Sequence, residues 1–236
     1  MKQSRIMVGD FETTVYKDQT FTEVWASALV EVGTEDVQVF NSLDATYDFI
    51  KGEKTDFIIY YHNLKFDGTF WLSFLFSKGY KNALDLNGHW IKDKMMRAND
   101  VKYAISDRGA WYYIKFKIGS RMIELRDSLK LLPFSVKRIG ESFKTKHKKL
   151  DIQYEGYRAA GGVITDEERA YIKNDVLVVS EALQIMFKEG HNRLTIGACC
   201  LSEYKKKYDR QDFRTFFPDL NKDELTSVWE IPIYDD

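Results

Sequence analysis

The segment TDFIIYYHN (55–63) places five successive apolar residues, Phe57–Tyr61, between polar flanks. A run this short reads as a strand buried on both faces, which requires helices above and below it. Helical patterns flank it. SLDATYDFIKGE precedes it with Ser42 or Asp44 available as a cap, and GTFWLSFLFSKGY follows and stops at Gly79. Upstream, RIMVGDFE, TEVWASALVEV and DVQVFNS are strand candidates separated by polar turns, in the manner of an antiparallel meander. Downstream, AWYYIKFKI and SRMIELRDS pair across a turn at Gly119, and VKRIGESF is a short helix. The longest helix lies over 165–190, where Thr165 and Glu168 form a capping box and Gly190 supplies the stop. This order of elements predicts an α/β chain with a mixed central sheet covered by helices.

At 236 residues the chain suffices for one sizeable core. Residues 1–190 are expected to form the domain, and 191–236 a less regular, partly helical extension. Lys and Arg total 35 against 36 Asp and Glu, so no global basic field marks a nucleic-acid partner. Positive charge is instead local, in KTKHKK (144–149) and YKKKY (204–208), where a solvated face is the ordinary explanation. The two cysteines, Cys199 and Cys200, are adjacent and lack zinc-ligand spacing. No signal peptide and no apolar run of membrane-spanning length occurs, so the expected location is the cytoplasm.

Two acids interrupt the first strand. Asp10 and Glu12 lie two residues apart and share one face, while Phe11 points to the other. Such a pair can end a strand in water, or it can hold a hard divalent cation with further oxygen ligands. Asp67, at the junction between the apolar strand and the next helix, reads either as that helix's N-cap or as a group facing a ligand crevice. Tyr171 and Asp175 are i and i+4 on the long helix, whose Val176, Val179, Leu183 and Met186 anchor it to the sheet.

Together, D-x-E, N-x-x-x-D and Y-x-x-x-D in this order resemble the three motifs of DEDD 3′–5′ exonucleases of the tyrosine subclass. DFET, YYHNLKFDG, DSLKLLPFSVKRI and YIKND are more specifically similar to the proofreading domain of the protein-primed family B DNA polymerases of bacteriophages. The resemblance runs from about residue 5 to about 190. It implies an RNase H-like fold and two divalent ions, Mg²⁺ or Mn²⁺, held by Asp10, Glu12, Asp67 and Asp175. It further implies that Tyr171 orients the attacking water and that Lys149 assists catalysis. Thr13, His62, Asn63, Phe66, Ser128, Leu129 and Tyr154 would grip the single-stranded DNA 3′ end.

The implied reaction is release of nucleoside monophosphates from frayed 3′ ends by two-metal hydrolysis, with the local basic run concentrating positive potential beside the cleft. The implied partners are a polymerase domain, in cis or in trans, and a terminal protein, although SDRGAWY places Arg108 differently from the family. The Y-x-G-G connector and the D-x-x-S-L-Y-P motif of such polymerases do not occur; GYRAAGG (156–162) precedes the tyrosine motif and is not that connector. The chain is therefore expected to be an excised exonuclease domain or a stand-alone protein of the same descent. The alternatives are a catalytically weak module that binds DNA or a partner, and an RNA-trimming exonuclease.

Overall fold

The computed structural model describes residues 4–152 and 156–217. The chain forms two compact units, Met1–Leu194 and Thr195–Asp236. In the first, strands β1 (Arg5–Thr13), β2 (Val24–Glu31) and β3 (Val37–Phe40) lead to helix α1 (Leu43–Gly52), strand β4 (Phe57–Tyr61) and helix α2 (Leu64–Ser77). Strands β5 (Lys81–Asn82), β6 (Asp100–Ile105), β7 (Trp111–Ile118) and β8 (Arg121–Asp127) follow, then helices α3 (Val136–Ser142) and α4 (Asp166–Lys188). All eight strands join one sheet in the order β3-β2-β1-β4-β8-β7-β6-β5. β1 pairs antiparallel with β2 but parallel with β4, and β4 runs parallel to β8. The expected meander, the hairpin at Gly119 and the buried apolar strand are all present.

Local sequence accounts for the helix boundaries. Ser42 caps α1 by accepting the Ala45 N–H, Ser135 caps α3, and Thr165 with Glu168 forms the complete capping box of α4. Helix α2 departs from expectation. It begins at Leu64, so Asp67 sits inside its first turn and is not its N-cap. The cap position is Asn63, in a left-handed conformation (φ 73°) with no side-chain cap bond.

Helix α4 packs across β1, β2 and β3, while α2 covers β4, β7 and β8. Between α2 and the sheet lies an aromatic core in which Phe11 meets Tyr61 and Trp71, and Trp71 meets Phe116. These rings are almost fully buried, each contributing roughly 1.5–3 kcal/mol of hydrophobic stabilisation. Gly9 makes the layer possible: a Cβ there would lie 2.7 Å from the Tyr61 ring.

The second unit contains helices α5 (Ile196–Lys205) and α6 (Arg210–Phe216), capped by Thr195 and Asp209. Tyr204, Tyr208, Phe213 and Phe217 pack against one another, and the Lys205 ammonium lies over the Phe213 ring.

Candidate active site

Phe11 faces α2 and its neighbours in sequence face the other way, so the period of two along β1 sends Asp10 and Glu12 toward α4. There they meet Asp175, with one carboxylate oxygen from each acid within 4.8 Å of the others. Ile172, Val176, Val179 and Leu183 hold α4 against the sheet and so fix the height of Asp175 above β1. Asp67 arrives from the α2 side. β4 ends at Tyr61, opposite Gly9, while β1 continues to Thr13, and the Phe11 N–H donates to the Asp67 carboxylate.

Asp10, Glu12, Asp67 and Asp175 line one cleft of about 260 Å³ with His62, Asn63, Phe66, Lys149 and Tyr171. Burial raises the pKa of Asp10 well above the usual carboxylate value, and Asp67, Glu12 and Asp175 raise it further while Lys149 opposes them. Burial likewise raises Asp67, against the pull of hydrogen bonds from its own N–H and that of Phe11. Glu12, Asp67 and Asp175 are each more than nine-tenths buried. One oxygen of Asp67 and one of Asp175 are buried without a hydrogen-bond partner. Buried acceptors left unpaired among like charges are costly. A hard divalent cation, which takes carboxylate oxygens as ligands, fits this donor set.

Lys149 is the cationic counterpart. Its ammonium donates to the Tyr171 hydroxyl at 2.9 Å, forms a short ion pair with Asp175, and lies 4.8 Å from the Tyr171 ring centroid. Burial works against its charge, yet the bonds to Asp175 and Tyr171 outweigh burial and raise its pKa. Burial raises the Tyr171 pKa, with Lys149 opposing, so the phenol stays protonated.

Of KTKHKK, Lys149 is the residue that lines the cleft. Lys146 pairs with Glu35, His147 with Glu181, and Lys148 donates to the Gly140 carbonyl. Within this run the direct contact with the acids is made by Lys149.

The other expected contacts divide. Phe66 presents an exposed ring, and Asn63 is exposed at the rim. His62 touches the cleft but is clasped between the Ser128 hydroxyl at 3.0 Å and the Phe134 carbonyl at 2.8 Å. Ser128 is fully buried, Thr13 and Leu129 are half-buried, and none of the three lines the cleft. Tyr154 lies outside the described residues.

Sequence reasoning missed Asp127 and Val136. Val136, at the start of α3, forms part of the cleft wall. Asp127, at the end of β8, is 3% exposed, and its Oδ1 accepts the N–H groups of Asn63, Leu64 and Leu129. It caps α2 from another strand. Its partners Asn63 and Leu64 lie 64 and 63 residues away, so no local pattern announces this role.

A family model described as DNA polymerase type B, organellar and viral, matches residues 51–162. The DNA polymerases of Bacillus phages Nf and phi29 are each 37% identical to the chain over 218 residues, spanning 90% of it and 36% of their own length. The chain is a relative of the phage type B DNA polymerases. The DNA polymerase of Streptococcus phage Cp-1 is 31% identical over 232 residues, again 36% of its length. Among solved structures, phi29 DNA polymerase complexed with primer-template DNA superposes with a TM-score of 0.83 at 34% identity, over 96% of this chain and 39% of that one. The same polymerase complexed with single-stranded DNA gives 0.82. The chain thus spans little more than a third of its polymerase relatives, and its mixed α/β fold matches the exonuclease region of phi29 polymerase.

Proposed function

We propose that the chain is a divalent-metal-dependent 3′–5′ exonuclease that removes nucleotides from single-stranded DNA ends. The observation that carries this reading is the convergence of Asp10, Glu12 and Asp175 within 4.8 Å, with unpaired buried oxygens on Asp67 and Asp175 beside them. Two Mg²⁺ or Mn²⁺ ions held by these four acids would supply the charge that lets water attack phosphorus at neutral pH and that stabilises the departing 3′-oxygen. The phosphorus–O3′ bond breaks, a bond to the water oxygen forms, and a nucleoside 5′-monophosphate leaves.

The chain's own groups do the positioning. The Tyr171 phenol, kept protonated and bonded to Lys149, orients the water by hydrogen bonding, and Lys149 adds fixed positive charge beside the scissile phosphate. Phe66 offers its exposed ring to the terminal base, and Asn63 a polar group to sugar or phosphate. His62 and Ser128 support this rim from behind through their mutual hydrogen bond. The same reading assigns Thr13, Leu129 and Tyr154 to the grip on the strand, Thr13 and Leu129 from outside the cleft lining.

Such a site serves proofreading, because a mismatched end is already partly unpaired and costs less to splay into the cleft. Residues 1–190 would form the exonuclease domain and 191–236 the extension toward a polymerase domain in cis or in trans. A terminal protein completes the proposed assembly, which acts in the cytoplasm of a bacterial host. Among the described residues no helix is long and apolar enough to cross a membrane.

The test is digestion of a 5′-labelled single-stranded oligonucleotide with Mg²⁺ or Mn²⁺. A ladder shortening from the 3′ end, lost in Asp10→Ala/Glu12→Ala, is expected; unimpaired digestion by that variant would sink the site assignment. Tight DNA binding without metal-stimulated cleavage would identify a binding module, and faster digestion of RNA an RNA-trimming enzyme.

A further inference from the structure

Just beyond the acids, the chain builds a group of rings that the chemistry above does not use. Tyr16 and Phe21, from the loop joining β1 to β2, and Tyr157 meet edge to face with centroids 5.9 to 6.5 Å apart. Phe21 is 54% and Tyr157 56% exposed, so the cluster sits on the surface and not in the core.

The loop that carries the rings is held in place. Thr14 and Glu23 exchange hydrogen bonds, the Tyr16 N–H donates to Gln19 Oε1, and the Gly156 N–H donates to the Val15 carbonyl. The bridge between Val15 and Gly156 brings the two ring-bearing segments together. Beside the rings is a concavity of about 490 Å³, lined among the described residues by Val15, Tyr16, Lys17 and Gly156. Lys17 is exposed there.

Position indicates what such a surface meets. Tyr16 is four residues after Glu12, so its backbone lies within roughly 14 Å of that acid even with the chain fully extended. When a 3′-terminal nucleotide occupies the acid cleft, all remaining nucleotides of the strand lie on its 5′ side and must leave over the rim. Aromatic faces stack with any base, and a lysine beside them attracts the phosphate between bases. Exposed apolar groups gathered in one patch are otherwise a liability in water.

We propose that Tyr16, Phe21 and Tyr157 form a stacking platform for unpaired bases of single-stranded DNA upstream of the terminal nucleotide, with Lys17 on the adjoining phosphate. The proposal rests on the exonuclease reading and adds to it a second contact zone that favours longer strands.

The experiment compares fluorescein-labelled dT15, dT3, and a dT15 whose bases are absent from all but the last three nucleotides, binding the full chain in EDTA so that no hydrolysis occurs. Wild type is expected to bind intact dT15 about 5- to 100-fold more tightly than the abasic strand. Tyr16→Ala/Phe21→Ala/Tyr157→Ala is expected to bind both strands alike. If that variant is poorly folded, Phe21→Leu and Tyr157→Leu keep apolar bulk without a π-face and should each reduce the ratio. A variant that keeps the full wild-type preference for intact dT15, or tighter wild-type binding to rU15 than to dT15, would overturn the proposal. Cleavage of intact dT15 by wild type with Mn²⁺ is scored separately: its failure removes the exonuclease reading whatever the binding ratio.

Discussion

The Asp127 carboxylate accepts the main-chain N–H of Leu64 at 3.2 Å, joining the end of β8 to the first residue of α2. The same oxygen accepts the Asn63 N–H at 3.2 Å, so one buried acid satisfies amides at the start of the helix that carries Asp67. Its negative charge also complements the positive end of the helix dipole. Asp127→Ala is expected to lower stability by about 1–3 kcal/mol and to raise the Mn²⁺ concentration needed for half-maximal cleavage, because Asp67 loses its fixed position. Asp127→Asn, which keeps an acceptor, should restore much of the metal response. Equal metal requirements in wild type and Asp127→Ala would show that the cap is structural only.

Crowding the acids has a thermodynamic consequence. Burial and neighbouring carboxylates raise the folded-state pKa of Asp10, so the folded chain holds a proton that the unfolded chain gives up more readily. Its contribution to stability is present at low pH and is lost as pH rises through the folded value. Asp10→Asn removes the charge and places an amide donor among acceptors. The Tm in EDTA is expected to rise by several degrees, since about 1 kcal/mol shifts a chain of this size by roughly 2–4 °C. Mn²⁺ should raise the Tm of wild type and leave Asp10→Asn nearly unmoved, as differential scanning calorimetry can show.

His62 gives a pH dependence of opposite sign. Burial lowers its pKa from about 6.5, while the Phe134 carbonyl and Asp127 partly oppose this. Between the folded value and about 6.5 the unfolded state binds more protons, so stability falls as pH is lowered through that window. Thermal melts from pH 8 to pH 5 should therefore drop more steeply for wild type than for His62→Asn, and parallel curves would contradict the clasp.

Removing Lys149 leaves Asp175 buried without its cation. Lys149→Met is expected to cut the turnover rate on single-stranded DNA by about 10²- to 10³-fold with a smaller change in KM. Lys149→Arg should not restore it, because a planar fork cannot place its charge as the compact ammonium does between Asp175 and Tyr171.

What was legible in the sequence was what depends on near neighbours. The capping box at Thr165 and Glu168 spans three residues, and the shared face of Asp10 and Glu12 follows from the pleat alone. The start of α2 was misread because its amides are satisfied by Asp127, 63 residues from Leu64, and no local pattern announces such a cap. Two partners of the basic run are equally remote: Glu35 pairs with Lys146 across 111 residues and Glu181 holds His147 across 34. Composition registers charge but not the distant acid that answers it.

The sheet also limits its own growth. Its outermost strands are the shortest of the described chain, with four residues in β3 and two in β5, while the acids stand on β1, paired on both sides. Short edges offer little template for another strand. Strand addition at either edge is thereby disfavoured, and the strand bearing Asp10 and Glu12, two strands in from the nearer edge, is shielded from being prised out of register by its company.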